Sequence, residues 1–248
     1  MARDGRVVWP VATFVLVHGA MHGGWCWAQV RRRLTAAGHE VFTPSLTGQG
    51  ERRDALTREV GPATHVRDLT DLLWFEDLTD VHMVLHSYAG VLAGPLAEAA
   101  IGRLASLTYL AGFVVEPGEC LLDVEPSRVA DRYRQLARDQ GEGWFLPPAP
   151  AFLEQWGIPD DRRAHVGERL TAFPLRCQTE PVHYAPAPLT ALPLTYLRHT
   201  RPPLESLDLS YARAVRAGWD IREIACGHDV MLAEPDRTAE LLEAIAHG

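Results

Sequence analysis

The stretch Val81-His-Met-Val-Leu-His-Ser-Tyr-Ala-Gly90 decides how this chain is read. Its first half, Val81 to Leu85, is a short apolar run of strand type. Behind it, Val91-Leu-Ala-Gly-Pro-Leu-Ala-Glu-Ala-Ala100 reads as helix. Ser87 stands at the turn between the two. A strand, a sharp turn with a Ser at its apex and a helix make the context of a nucleophile elbow. The helix start offers unpaired N–H groups and a positive dipole end, so negative charge developing near the hydroxyl is stabilised there. The usual pattern is Gly-x-Ser-x-Gly. Here the two flanking places hold Leu85 and Ala89, with Gly90 one position later. Small residues at those places let strand and helix approach closely, so Ala89 suits its place and Leu85 is a departure. A Ser after a buried strand is also a common helix cap, and the surrounding chain has to decide between the two roles.

Working outward, the run Ala12-Thr-Phe-Val-Leu-Val-His-Gly19 has the pattern of a strand buried on both faces. The loop Ala20-Met-His-Gly-Gly24 follows, then a helix over 25–37 closed by Gly38. His39 to Pro44 is the next strand, 45–61 a polar loop, and 65–78 an amphipathic helix. Beyond the Ser87 unit, Leu104 to Leu110 is another buried strand. Strands alternating with helices predict a parallel sheet with helices on both faces. Ligands of such sheets sit beyond the C-terminal strand ends. His18-Gly19-Ala20, Ser87 and the residues after Leu110 all fall there.

The alternation stops over 114–189, a segment rich in Pro and aromatic residues, without strand signals and with one clear helix over 129–138. Its place between two strands predicts a helical lid over the strand ends, with a separate small subdomain as the plainer alternative. The pattern then resumes with a strand at 194–198, a helix at 205–217, a strand at 221–225, the turn Cys226-Gly-His-Asp229 and a last helix, Pro235 to Ala246.

Composition narrows the function classes. The chain has 248 residues, enough for one large domain, and a net charge of −8 with no basic surplus to attract nucleic acid or anionic lipid. No apolar run approaches a membrane span, and the first residues show no signal-peptide core. Four scattered cysteines without a Cys-x-x-Cys pair point away from disulfides and zinc and toward a reduced, cytoplasmic setting.

A serine nucleophile needs a base. Among 11 histidines, His228 is distinguished by its place in a Gly-containing turn past the last strand, at the same sheet edge as Ser87. An oxyanion hole needs two N–H donors. Tyr88, directly after the Ser, and Ala20, in the loop after the first strand, fit the two positions. His18 and His22 read as pocket or structural residues, His18 more readily as structural.

These residues together resemble the α/β-hydrolase fold, in particular the small esterases and hydroxynitrile lyases related to plant methylesterases, and their bacterial relatives. The resemblance rests on Leu16-Val-His-Gly-Ala20 with Gly24-Trp-Cys-Trp27, Ala37 to Pro44 with Leu46-Thr-Gly48, and His86-Ser-Tyr88. It continues through Tyr109-Leu110 with Phe113, and Gly227-His-Asp-Val-Met231 with Glu234-Pro235. It implies a sheet of about six mainly parallel strands, a helical cap, no cofactor, and a small apolar substrate. It further implies Ser87 as nucleophile, His228 as base, and the N–H groups of Ala20 and Tyr88 as oxyanion donors. A homodimer is left open.

The family's orienting acid commonly follows the strand placed here at 194–198. That loop reads His199-Thr-Arg-Pro-Pro-Leu-Glu205 and holds no Asp, while the alternative place after Leu110 holds Ala111. Glu205, Asp208 and Glu116 are the nearby carboxylates, and none is well placed by sequence. Pro202-Pro203 stiffens the loop, so the expectation is that none of the three serves. Three readings follow. The first is a Ser-His hydrolase of an ester or thioester of an apolar, cyclic small molecule of the kind met in secondary metabolism. The second is a lyase or cyclase using Ser87 and His228 for proton transfer, and the third a catalytically dead small-molecule binder, disfavoured because both Ser87 and His228 are present.

Overall fold

The computed structural model describes residues 10–248, so the reading of the first residues as lacking a signal core lies outside the described part. The apolar runs become β1 (Thr13–Val17), β2 (Glu40–Phe42), β3 (Val81–His86) and β4 (Leu104–Leu110). Between them lie α1 (Ala28–Ala36), α2 (Pro62–Phe75) and α3 (Ala93–Ala99), the last entered through a tight 3₁₀ turn over Ser87–Leu92. Short 3₁₀ segments also precede α1, at Gly24–Trp27, and occupy part of the 45–61 loop at Gly50–Ala55.

The 114–189 segment carries α4 (Leu121–Val124), α5 (Ser127–Gln140), β5 (Phe145–Leu146), α6 (Pro150–Gln155), α7 (Asp160–Gly167), β6 (Phe173–Pro174), α8 (Arg176–Thr179) and the start of α9 (Pro186–Thr190). The expectation of no strands here is corrected. β5 and β6 pair antiparallel, Leu146 against Phe173 and Phe145 against Pro174. Two-residue strands lie below the length at which alternation gives a sequence signal. The chain closes with β7 (Leu194–His199), α10 (Asp208–Arg216), β8 (Asp220–Ile224), α11 (Val230–Ala233) and α12 (Pro235–Ala246).

The main sheet has six strands in the order β2-β1-β3-β4-β7-β8, every neighbour pair parallel. Alternation along the strands feeds two cores. Val15, Val17, Met83, Leu85, Leu107 and Tyr109 face α2, α3 and the inserted segment, and Phe14, Leu16, Val84, Leu110 and Leu197 face α1 and α12. Strand order reverses on either side of β1: the chain leaves β1 for β2 and returns across it to β3. The C-terminal ends of β1 and β3 therefore flank the crevice where doubly wound sheets hold ligands.

No helix among the described residues is long and apolar enough to cross a membrane. All four cysteines are free and buried.

Candidate active site

Ser87 follows β3 with φ of 54°, a left-handed conformation that L side chains rarely adopt. The close approaches that usually place Gly on both sides of such a Ser fall at other positions here. A Cβ on Gly90 would lie 2.5 Å from the Phe113 carbonyl oxygen, and one on Gly19 would lie 2.7 Å from Ser87 Cβ. Leu85 is thus free to be a core residue. It is fully buried in the face toward α2 and α3. The Phe113 N–H donates to the Ser87 carbonyl at 3.0 Å, tying the elbow to the loop after β4. Tyr88 lies in the first turn behind Ser87, where backbone N–H groups have no partner within the helix.

His228 is brought to Ser87 from the turn after β8. Its Nε2 lies 2.9 Å from Ser87 Oγ. Three contacts fix this turn. The His228 N–H donates to the Trp156 carbonyl at 2.8 Å, and Nε2–H of His86 donates to the His228 carbonyl at 3.1 Å. Gly227 packs so closely on Gly157 that a Cβ would stand 2.6 Å from its carbonyl oxygen. The His228 ring lies between the rings of His86 and His199, with centroids at 4.8 and 5.2 Å. Burial, and then the neighbouring His86, His199 and His22, push its pKa well below 6.5. A neutral imidazole facing a hydroxyl is the form that accepts a proton.

For Nε2 to accept, the ring hydrogen must sit on Nδ1, and Nδ1 has no hydrogen-bond partner among the described residues. None of Glu205, Asp208 and Glu116 reaches it. Glu205 pairs with Arg128, Asp208 lies 3.8 Å from Arg198, Glu116 lies 3.8 Å from Arg213, and all three carboxylates are more than half exposed. His199 occupies the end of β7, where the resemblance would put an acid.

The buried carboxylate of this region is Asp229, which sequence reasoning passed over. Its Oδ2 accepts from Nε2–H of His22 at 3.0 Å, while Nδ1–H of His22 donates to the Ala20 carbonyl at 2.8 Å. Both ring nitrogens of His22 therefore face acceptors, as an imidazolium requires. Burial opposes the charge on each partner, but the pairing outweighs it: the His22 pKa is raised above 6.5 and the Asp229 pKa held below 3.8. The unpaired Oδ1 of Asp229 lies 3.8 Å from His86 Nε2. His86, His228 and Asp229 each bring one metal-ligating atom within 4.8 Å of the others.

His18 is structural, as expected. Its Nδ1–H donates to the Gly19 carbonyl at 2.7 Å, and its Nε2 accepts from the Leu46 N–H at 3.0 Å. These roles require the neutral ring, and burial drives its pKa to about 3. The Gly19 carbonyl belongs to the peptide whose other end is the Ala20 N–H. In a trans peptide the two point in opposite directions, so holding the oxygen on His18 aims the N–H away from it.

The site opens into a partly open cavity lined by Ala20, Ser87, Tyr88 and His228 at one end. Leu121, Leu146, Phe152 and Trp156 of the inserted segment supply most of the apolar wall. Trp144 of the same segment lies elsewhere, packed on Phe145 and under the Arg58 guanidinium. The segment is anchored by the Thr171 N–H on the Met21 carbonyl at 2.9 Å and by Gln49 Nε2 on the Ala172 carbonyl at 2.8 Å.

Comparison with known proteins agrees with this geometry. Residues 14–241 match the model of the alpha/beta hydrolase family. A carbendazim hydrolyzing esterase from Nocardioides sp. (strain SG-4G) is 32% identical over 95% of this chain and 100% of that esterase. Methylesterase 7 of Arabidopsis thaliana is 33% identical over a shorter stretch, 41% of this chain and 40% of that protein. Among solved structures, an extracellular alpha/beta-hydrolase from a Paenibacillus species superimposes with a TM-score of 0.83 at 20% identity, covering 96% of this chain and 99% of the other. With an elbow serine, a facing histidine and a family match along nearly its whole length, the chain belongs to the alpha/beta hydrolase family and is a serine-hydrolase-type enzyme resembling the plant methylesterases and their bacterial relatives.

Proposed function

We propose that this enzyme hydrolyses an ester of a small, apolar, cyclic molecule through Ser87 and His228, with the 114–189 segment acting as lid. The observation that carries the reading is the 2.9 Å contact between Ser87 Oγ and His228 Nε2 at the end of an apolar cavity. Ser87 attacks the ester carbonyl while His228 takes its proton. The oxyanion is received by the N–H groups of Ala20 and Tyr88, which line the same cavity end. His228 then protonates the departing alkoxide, and water, activated by the same ring, releases the acid. The esterase names of the relatives support the ester class. Reduced, cytoplasmic thiols remain part of the proposal, as does the apolar character of the substrate.

The test is steady-state hydrolysis of methyl esters of bicyclic aromatic acids, and of carbendazim, by wild type, Ser87→Ala and His228→Ala. Loss of at least about 10³ in kcat for both variants, with thermal stability kept, supports the assignment. Wild-type turnover by Ser87→Ala removes the nucleophile. A second reading has one observation behind it, the unpartnered Nδ1 of His228. A ring without an orienting acceptor suits a lyase or cyclase that moves protons and makes no acyl-enzyme. Turnover of carbon–carbon bond substrates together with feeble hydrolysis of every ester would favour it.

A further inference from the structure

Away from Ser87 and His228 the cavity wall is mostly apolar, and two of its polar side chains stand out. Glu125, just after α4, is 8% exposed, and Gln178, in α8, is 5% exposed. Both line the cavity. One acceptor oxygen of each, Oε2 of Glu125 and Oε1 of Gln178, has no hydrogen-bond partner among the described residues. Two other polar groups of this wall have partners: Gln155 accepts from Arg132 and donates to the Tyr133 hydroxyl at 3.4 Å. Ser206 lies beside the Glu125 carboxyl and favours its ionised form, but burial dominates and pushes its pKa up to about 7. Buried acceptors without donors are costly, and the hydrophobic wall around them gives no reason for a carboxyl to be there.

We propose that Glu125 and Gln178 form a recognition pair for hydrogen-bond donors, so that the substrate is an ester whose ring system carries an N–H. The ring fills the apolar wall of Leu121, Leu146, Phe152 and Trp156, the ester carbonyl lies at Ser87, and the ring N–H donates to the two free oxygens. A pocket built to hydrogen-bond a group discriminates strongly against an analogue lacking it, because its own buried polar atoms are then left unpaired. The inference rests on the reading of the Ser87 cavity as the substrate site.

The test uses two esters of nearly the same shape, methyl indole-3-carboxylate, which has the ring N–H, and methyl benzothiophene-3-carboxylate, which has sulfur in its place. Binding is read in the full-length Ser87→Ala protein, by quenching of tryptophan fluorescence, well above the pH at which Glu125 ionises. Ser87→Ala should bind the indole ester at least about tenfold more tightly than the benzothiophene ester. Glu125→Leu in the same background should bring that ratio close to one by weakening the indole ester alone, and Gln178→Leu should reduce it. An equal affinity for the two esters in Ser87→Ala, a preference that survives Glu125→Leu, or no binding of either ester would each overturn the proposal. Failure of the esterase reading looks different: the preference is present in binding, yet wild type hydrolyses neither ester.

Discussion

Replacing Asp229 by Asn keeps the shape of the His228 turn and removes its buried charge. Asp229 is 2% exposed, and its pairing with His22 closes a path from the turn after β8 to the loop after β1, through the Ala20 carbonyl. Removing one member of a buried ion pair costs roughly 3–5 kcal/mol when the survivor stays charged. His22 escapes part of that by losing its proton, since burial alone drives its pKa down. The loss should then be about 3 kcal/mol, near the lower bound, which in a protein of this size lowers Tm by roughly 6–12 °C.

The pH dependence carries a definite sign. The folded pKa of His22 lies above 6.5, so its contribution is complete below 6.5 and fades as pH rises through the folded value. The folded pKa of Asp229 lies below 3.8, so its contribution is present above 3.8 and is lost as pH falls through the folded value. Calorimetry of wild type, Asp229→Asn, His22→Gln and the double variant across this range reads both effects. The alkaline decline should vanish in Asp229→Asn, and the double variant should lose clearly less than the sum of the single losses. Strict additivity, or an unchanged alkaline decline in Asp229→Asn, would refute the buried imidazolium–carboxylate pair.

Trp156→Ala should raise KM about tenfold with little change in kcat, whereas Trp144→Ala should leave both unchanged; ester kinetics on the two variants separate wall from surface. Glu116→Gln, Glu205→Gln and Asp208→Asn should each keep kcat within about twofold of wild type, because these carboxylates sit in exposed ion pairs that contribute little. The acid limb of kcat/KM should have its midpoint below pH 6.5, since His228 must be neutral to act and its pKa is depressed. A midpoint above 6.5 would mean that a carboxylate supports the ring.

Much of this site was legible because its parts are local. A run of buried apolar residues ending in a turn specifies β3 and Ser87, and a Gly-containing turn after a strand specifies His228. The direction of His228 toward Ser87 follows from the parallel sheet, whose strand ends all lie on one side. The absence of an Asp from the loop after β7 was equally readable, and the exposed ion pairs of Glu116, Glu205 and Asp208 agree with the expectation that none of them serves.

What the sequence hid depends on distance. His22 and Asp229 stand 207 positions apart, and no periodicity announces a pair that meets only after the sheet has closed. His86 could be quoted as part of a motif, yet its bond to the main chain of His228 is again a product of strand order. Glu125 follows one single-turn helix and Gln178 lies in another, both without any motif, and only a buried oxygen without a partner among the described residues marks each of them. Trp144 and Trp156 have the same chemistry and similar neighbours in sequence. Trp156 is held at the cavity by a contact between backbones, its own and that of Gly157 against Gly227, just past the end of α6.

The assignment of Ser87 as nucleophile, with His228 as base, is tested most directly by mass spectrometry after brief exposure to a fluorophosphonate. The expected result is a single adduct on the peptide containing Ser87, absent in Ser87→Ala and formed far more slowly in His228→Ala. Robust ester hydrolysis by wild type without any adduct at Ser87 would contradict it.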